Sequence, residues 1–239
     1  MLLREEPGGT VLAIAQPDHA ALSGRLAEAW DDDLPHDLVA ATARHDDVWA
    51  NRDTAPRLNP RTGRPQTFLE LDASDRVQVW SQAPAVAAPL GPEAELWVLR
   101  HAERLHASYD DAGVKAMVAV IGTRTGELIE QLRVNSAAFD DAALARGTSV
   151  LALLDTLSLC ACFGVLEPVD AGVLRLTPAD GTVPGADVIA VAPWPFDRTR
   201  VEISAQARRL PGTLASQAEL DATWAAAEPV ALRVVLTPG

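Results

Sequence analysis

Apolar residues recur at helical spacing through most of the first 165 positions and at alternating spacing beyond about residue 170. Two short strands open the chain over residues 1–16, on either side of a Pro7-Gly8-Gly9 turn; the second is "TVLAIAQ". Pro17 suits a first helical turn and Asp18 the positive end of a helix dipole. The helix starting there runs to about Trp30 and carries His19, Leu22, Leu26 and Trp30 on one stripe. A second helix over about 35–52 aligns Leu38, Ala41, His45 and Trp49, with Asp46 beside them. Three prolines and a glycine make 53–72 largely loop. A third helix starts near Ser74 and breaks between Pro84 and Pro92. The next, about 93–109, stacks Ala94, Val98, His101 and Leu105. Further helical patterns cover about 111–121, 126–138 and 141–163, and Gly164 stops the last.

After residue 170, "GVLRLTP", "ADVIAVAPWPF", "RVEISAQARRL" and "ALRVVLTP" read as strands of an antiparallel sheet. Ser216 and Glu219 mark a capping box for one helix over about 217–227. The expectation is a mainly α protein, α+β overall. A helical domain with short N-terminal strands fills 1–168, and a small antiparallel β-rich C-terminal extension, 169–239, packs on it.

Composition narrows the partners. The 239 residues are 48% hydrophobic, enough for a sizeable core, and a net charge of −13 argues against nucleic acid or an anionic membrane as the main partner. The opening "MLLREEPGGT" lacks a signal peptide's apolar stretch, and a cytoplasmic location with no membrane span is expected. Cys160 and Cys162, two apart on a helix, point to different faces and read as buried, reduced thiols rather than a disulfide or a metal pair.

The run "VLALLDTLSLCACFGV", residues 150–165, raises the chemical question. It is too short for a comfortable membrane span and places Asp155 among apolar neighbours, where an unpaired carboxylate costs several kcal/mol. Three of the five histidines, His19, His45 and His101, fall on the apolar stripes of three other helices. Imidazoles and a carboxylate converging inside helices are how such folds hold divalent metals, and a cation would offset the burial of Asp155. His45-Asp46 sits mid-helix in this reading, so both side chains border one groove only if the metal lies to one side. His106 lies about 140° around the helix from His101 and is expected to face elsewhere unless the helix bends or ends.

The order His19, His45-Asp46, then a distant Asp155 resembles the ligand pattern of the HD-domain superfamily of metal-dependent phosphohydrolases. Over the whole chain, and most specifically in "ARHDDVWANRDTAPRLNPRTGRPQTF", with "QPDHAALSGRLAEAW" and "LLDTLSLCAC", the sequence resembles an uncharacterised bacterial family, domain-of-unknown-function family 3891. The HD resemblance implies an HD-like helical bundle and a divalent metal (Mn, Fe, Zn, Mg or Ni) on His19, His45, Asp46 and Asp155. His101 would be a fifth ligand, with a second metal optional.

Arg52, Arg57, Arg61 and Arg64 crowd the proline-bounded loop that follows. Guanidinium forks suit phosphate or carboxylate, so the loop could hold a small anionic substrate, or its arginines could pair with surface acids. Asp47 and Asp53 are candidate general bases. The leading expectation is a metal-dependent hydrolase of a small phosphorylated or nucleotide-like compound. A di-iron oxygenase and a non-catalytic metal-containing binding module remain open alternatives.

Overall fold

Strands β1 (Leu2–Glu5) and β2 (Thr10–Ile14) form the expected hairpin, with Leu2 opposite Ile14 and Glu5 opposite Val11. Gly8 and Gly9 both adopt positive φ in its turn, a conformation that costs glycine nothing. The computed structural model describes residues 1–136, 139–179 and 183–239. Helix α1 (Gln16–Glu28) follows directly, then α2 (His36–Arg44), a 3-10 turn (Asp47–Trp49) and α3 (Ala50–Thr54). A minimal hairpin of β3 (Leu58–Asn59) and β4 (Arg64–Pro65) lies in the loop region. Helices α4 (Ala73–Trp80), α5 (Ala83–Ala87), α6 (Pro92–His106), α7 (Ala112–Asn135) and α8 (Asp141–Phe163) complete the helical part. The chain ends with β5 (Val169–Ala171), β6 (Leu174–Pro178), β7 (Asp187–Ala192), β8 (Val201–Pro211), α9 (Gln217–Ala226) and β9 (Pro229–Pro238).

The expected mainly α, HD-like bundle with a small β extension does not describe this fold. About half the chain is helical, and against the helices stands a curled sheet of seven strands in the order β1-β2-β8-β9-β7-β6-β5. The N-terminal hairpin belongs to that sheet, because β2 pairs with β8 and sets Val11 opposite Leu210. Nor is the sheet wholly antiparallel, since β7 and β9 run parallel, with Val188 opposite Val235. Local periodicity finds the strands but not their partners, which lie some 200 residues apart in sequence. The unbroken apolar run of β2 did carry a sign of this: a strand covered on both faces loses its alternation. Leu12 and Ile14 face the main core, while Val11 and Ala13 join Met1, Leu210, Leu214 and Leu220 in a smaller cluster beneath α9.

Two other expectations change. The patterns over 111–121 and 126–138 belong to one continuous helix, α7, which runs through Gly122 and Gly126; positions 137–138 of that expectation lie outside the described residues. The helix expected over 35–52 breaks at His45, for α2 ends at Arg44 and Asp46 (φ −111°, ψ 17°) leaves the helical region before the 3-10 turn. Helices α8 and α9 keep their expected bounds closely. The Ser216 hydroxyl caps α9 by accepting the Glu219 N–H at 3.2 Å.

Two apolar cores meet along α8. One joins Leu22 and Leu26 of α1 and Leu154 and Leu157 of α8 to the sheet; the other gathers Trp49, Trp80, Trp97, Leu99 and Ile121 from the helices and ends at Leu151. Asp155 therefore sits at their seam. By length and composition α8 could cross a membrane, unlike the shorter run considered from sequence, yet it packs on α1, α2, α6, β1 and β5.

Helices α1 and α2 are in close contact at Gly24, where an added Cβ would overlap the Cβ of Ala43 and lie 2.8 Å from its Cα. Helix propensity alone makes Gly24→Ala favourable by about 1 kcal/mol. Backbone contact reverses the sign, and a net loss of about 1–3 kcal/mol is expected in urea unfolding. A raised midpoint would show that the two helices separate freely.

Candidate metal centre

The five residues expected as ligands converge. His19 is placed by α1, His45 and Asp46 by the break after α2, His101 by α6 and Asp155 by α8, and every one is buried. His19 Nε2 lies 3.1 Å from Asp46 Oδ2 and 3.6 Å from Asp155 Oδ1. His45 Nε2 lies 3.5 Å from Asp155 Oδ1 and 3.7 Å from Asp46 Oδ2. The rings of His19 and His45 stand perpendicular with centroids 5.0 Å apart, and those of His45 and His101 are 4.7 Å apart. Candidate ligand atoms of His19, His45 and Asp155, and likewise of His45, Asp46 and His101, fall within 4.8 Å of one another. Ligands about 2.1 Å from one ion stand roughly 3–4 Å apart, so little movement separates this arrangement from a first coordination shell. The break at His45 brings both members of the dipeptide inward, which an unbroken helix would oppose.

The tautomers point the same way. His45 Nδ1 lies 2.7 Å from the Thr42 carbonyl, which can only accept, so Nδ1 carries the proton and Nε2 is left facing two carboxylates. Among the described residues, Nε2 of His45 and Oδ1 of Asp46 have no hydrogen-bond partner. His19 Nδ1 meets the Ser158 hydroxyl at 2.7 Å; Ser158 in turn donates to the Asp155 carbonyl at 2.8 Å and accepts from Ser23 at 2.7 Å. A histidine whose outer nitrogen is tied to the fold while the inner one faces acids is the usual state of a metal ligand.

Charge accounts for the titration of the cluster. Burial opposes a charged His45, but the carboxylates of Asp46 and Asp155 outweigh it and push its pKa up to about 9. Burial, then the neighbouring His45, holds His101 down to about 3. Against the opposing effect of burial, His45 together with His19 and His101 holds Asp46 and Asp155 below the usual carboxylate range. The pair of acids demands positive charge between them, whether a proton on His45 or a cation.

Four of the five cluster residues, His19, Asp46, His101 and Asp155, line a cavity of about 150 Å³ whose wall also includes Gln16, Trp49, Phe68, Arg76, Trp80, His106 and Tyr109; His45 lies behind them. Sequence reasoning missed several groups in or beside the site. Arg104 donates to Asp155 Oδ2 at 3.2 Å and reaches His101 Nδ1 at 3.4 Å; its place three residues after His101 on α6 was the available signal. Arg76 lies 4.5 Å above the Tyr109 ring and, among the described residues, has no carboxylate partner. His106, expected to face away, is buried in the cavity wall because α6 ends there and its ring packs on Trp80 with centroids 5.2 Å apart.

The arginine loop is not brought to the cavity. Arg52 forks onto Asp75 and also donates to Gln66; Arg57 pairs with Asp75. Arg64 binds Glu5 and the Gly212 carbonyl, and Arg61 is exposed. Three of the four thus take the alternative weighed from sequence, intramolecular pairing. The candidate bases also lie elsewhere. Asp47 pairs with Arg44, and buried Asp53 accepts the Met1 ammonium at 2.9 Å and the Gln16 N–H at 2.7 Å, tying down the start of α1. Of the two tryptophans on the stripes of His19 and His45, Trp49 lines this cavity, and Trp30 packs on Phe196 beside a different groove. Cys160 and Cys162 are unpaired, and burial pushes the Cys162 thiol up to about 12.

Ser158→Ala leaves His19 without its orienting partner, and about a 10–100-fold loss of metal affinity is expected by competition with a chelator. Unchanged affinity would remove Ser158 from the support of the site.

The family described as Protein of unknown function (DUF3891) matches residues 1–212, and that match carries no HD assignment. No curated protein and no solved structure matches the chain.

Proposed function

Because the chain belongs to DUF3891, a family whose description names no reaction, we propose from the site itself that it is a metal-dependent hydrolase of a small phosphorylated compound. The observation that carries this reading is the partnerless Nε2 of His45, held by its Thr42 bond so that it faces the carboxylates of Asp46 and Asp155. Two carboxylates and three neutral imidazoles balance the charge of one divalent ion. That mixed nitrogen and oxygen set suits Fe, Mn, Zn or Ni better than Mg, which favours oxygen. The order His19, His45-Asp46, Asp155, which resembles the HD ligand pattern, supports the reading at the level of ligands alone. A bound divalent ion there would lower the pKa of water and polarise a phosphoryl oxygen.

The chain's own groups supply the rest. Arg76 offers a guanidinium that among the described residues has no carboxylate partner, and Arg104 reaches the cluster from its α6 side. Trp49, Phe68 and Trp80 line the cavity with apolar surface and limit access of bulk water. A volume of about 150 Å³ is below the roughly 300–1,000 Å³ of pockets for drug-sized ligands, which favours a small ester over a whole nucleotide.

The test uses untagged protein loaded separately with Mn, Fe, Zn or Ni and assayed on a panel of small phosphate monoesters. Turnover that a chelator stops and the metal restores is expected, with Arg76→Met raising KM about tenfold or more. Bound metal without turnover would replace the reading with a binding module. Iron with a visible absorption band and oxygen uptake would favour the di-iron oxygenase, for which the third imidazole, His101, is the supporting feature.

A further inference from the structure

His106 is 2% exposed, yet its Nε2 has no hydrogen-bond partner among the described residues. Its Nδ1 lies 2.7 Å from the Ala102 carbonyl, so the proton of the neutral ring is on Nδ1 and the lone pair on Nε2. Burial, the largest cause, pulls its pKa below the usual histidine value, and nearby Arg76 acts in the same direction. The ring lines the cavity beside Tyr109, with centroids 5.8 Å apart, and Arg76 lies over that same tyrosine. A second acceptor in the wall, Gln16 Oε1, is also buried and unpartnered. Buried acceptors left unpaired cost stability unless something supplies their hydrogens. The wall thus holds two acceptors and the Arg76 guanidinium, which among the described residues has no carboxylate partner.

We propose that this wall recognises the alcohol portion of the substrate: a small phosphate ester bearing a hydroxyl that donates to His106 Nε2, with the anionic group near Arg76 and the cluster. The inference rests on the hydrolase reading for its phosphate, and it adds the class of ester, a hydroxylated one. His106 acts here as a recognition residue that accepts a hydrogen bond.

The test is calorimetric binding of 2,3-dihydroxypropylphosphonate and of propylphosphonate to metal-loaded protein. Both resist hydrolysis and differ only in their hydroxyls. Wild type should bind the dihydroxy compound about tenfold or more tighter, since the plain compound leaves His106 unpaired. His106→Phe keeps a ring against Trp80 and should erase the preference by weakening the dihydroxy compound without weakening propylphosphonate or lowering metal content. His106→Gln, which can still accept, should restore part of it. Equal binding by wild type, no binding of either compound, or a preference surviving in His106→Phe would overturn the proposal. Loss of metal from His106→Phe would also overturn it, by making His106 a ligand. The two readings fail separately. A retained hydroxyl preference without turnover of the matching phosphate esters sinks the hydrolase alone, and turnover without the preference sinks this inference alone.

Discussion

Protein carrying Asp155→Asn should keep its fold and lose its metal. The carboxylate is the acid that α8 contributes to the cluster, and it lies 3.5 Å from His45 Nε2 and 3.6 Å from His19 Nε2. An amide of the same shape keeps the packing at the seam of the two cores but removes the charge that balances a divalent ion. Losing an outer partner already costs about 10–100-fold in affinity, so losing a ligand should cost at least about 100-fold. Elemental analysis of untagged wild type and variant, with circular dichroism as the control for folding, reads this directly. A folded variant with its full metal content would remove Asp155 from the coordination sphere. In the wild type, metal saturation should raise the unfolding midpoint, because the ion binds the assembled cluster and not the open chain.

The second large effect is a difference in pH dependence between metal-free and metal-loaded protein. In the metal-free form the His45 pKa is raised from 6.5 to about 9, so the folded state holds a proton that the unfolded state gives up. That contribution is complete below pH 6.5 and is lost as pH rises through 9; the displacement corresponds to roughly 3 kcal/mol. His101 has the opposite sense. Its pKa is held at about 3, so stability is present above pH 6.5 and falls as pH drops from there. Asp46 and Asp155, lowered from the usual carboxylate range, withdraw further stability in acid. Metal-free protein should therefore be most stable near pH 6.5 and weaken steadily toward pH 9. Metal-loaded protein should lack that alkaline decline, because Nε2 of His45 holds the ion in place of the proton. Urea midpoints between pH 5 and 10, with and without chelator, measure both curves. Parallel curves would mean that no ion displaces the proton on His45.

Much of the cluster was legible from residue type and spacing, because polar groups on apolar stripes must find partners inside. His19, His45, His101 and Asp155 each broke such a stripe, and the fold brings all four together with Asp46. The arginine loop shows where that logic fails. Arg52, Arg57 and Arg64 follow the His-Asp pair closely in sequence, but acids at positions 75 and 5 hold them away from the cavity. Arg104 stands three residues after His101 on α6 and so could have been found, whereas Arg76, which lines the cavity, carries no local mark that separates it from other surface arginines.

By itself, then, the sequence determined where chain segments become helix or strand, how α9 is capped, and which polar side chains burial would force together. These are properties of near neighbours, governed by periodicity and by the desolvation of single groups. Tertiary structure alone decided that β1 and β2 complete the C-terminal sheet, that α2 breaks at His45, and that His106 and Arg76 share one cavity. Each of these depends on a partner distant in the chain, and the free energy of such a contact belongs to the pair rather than to either segment.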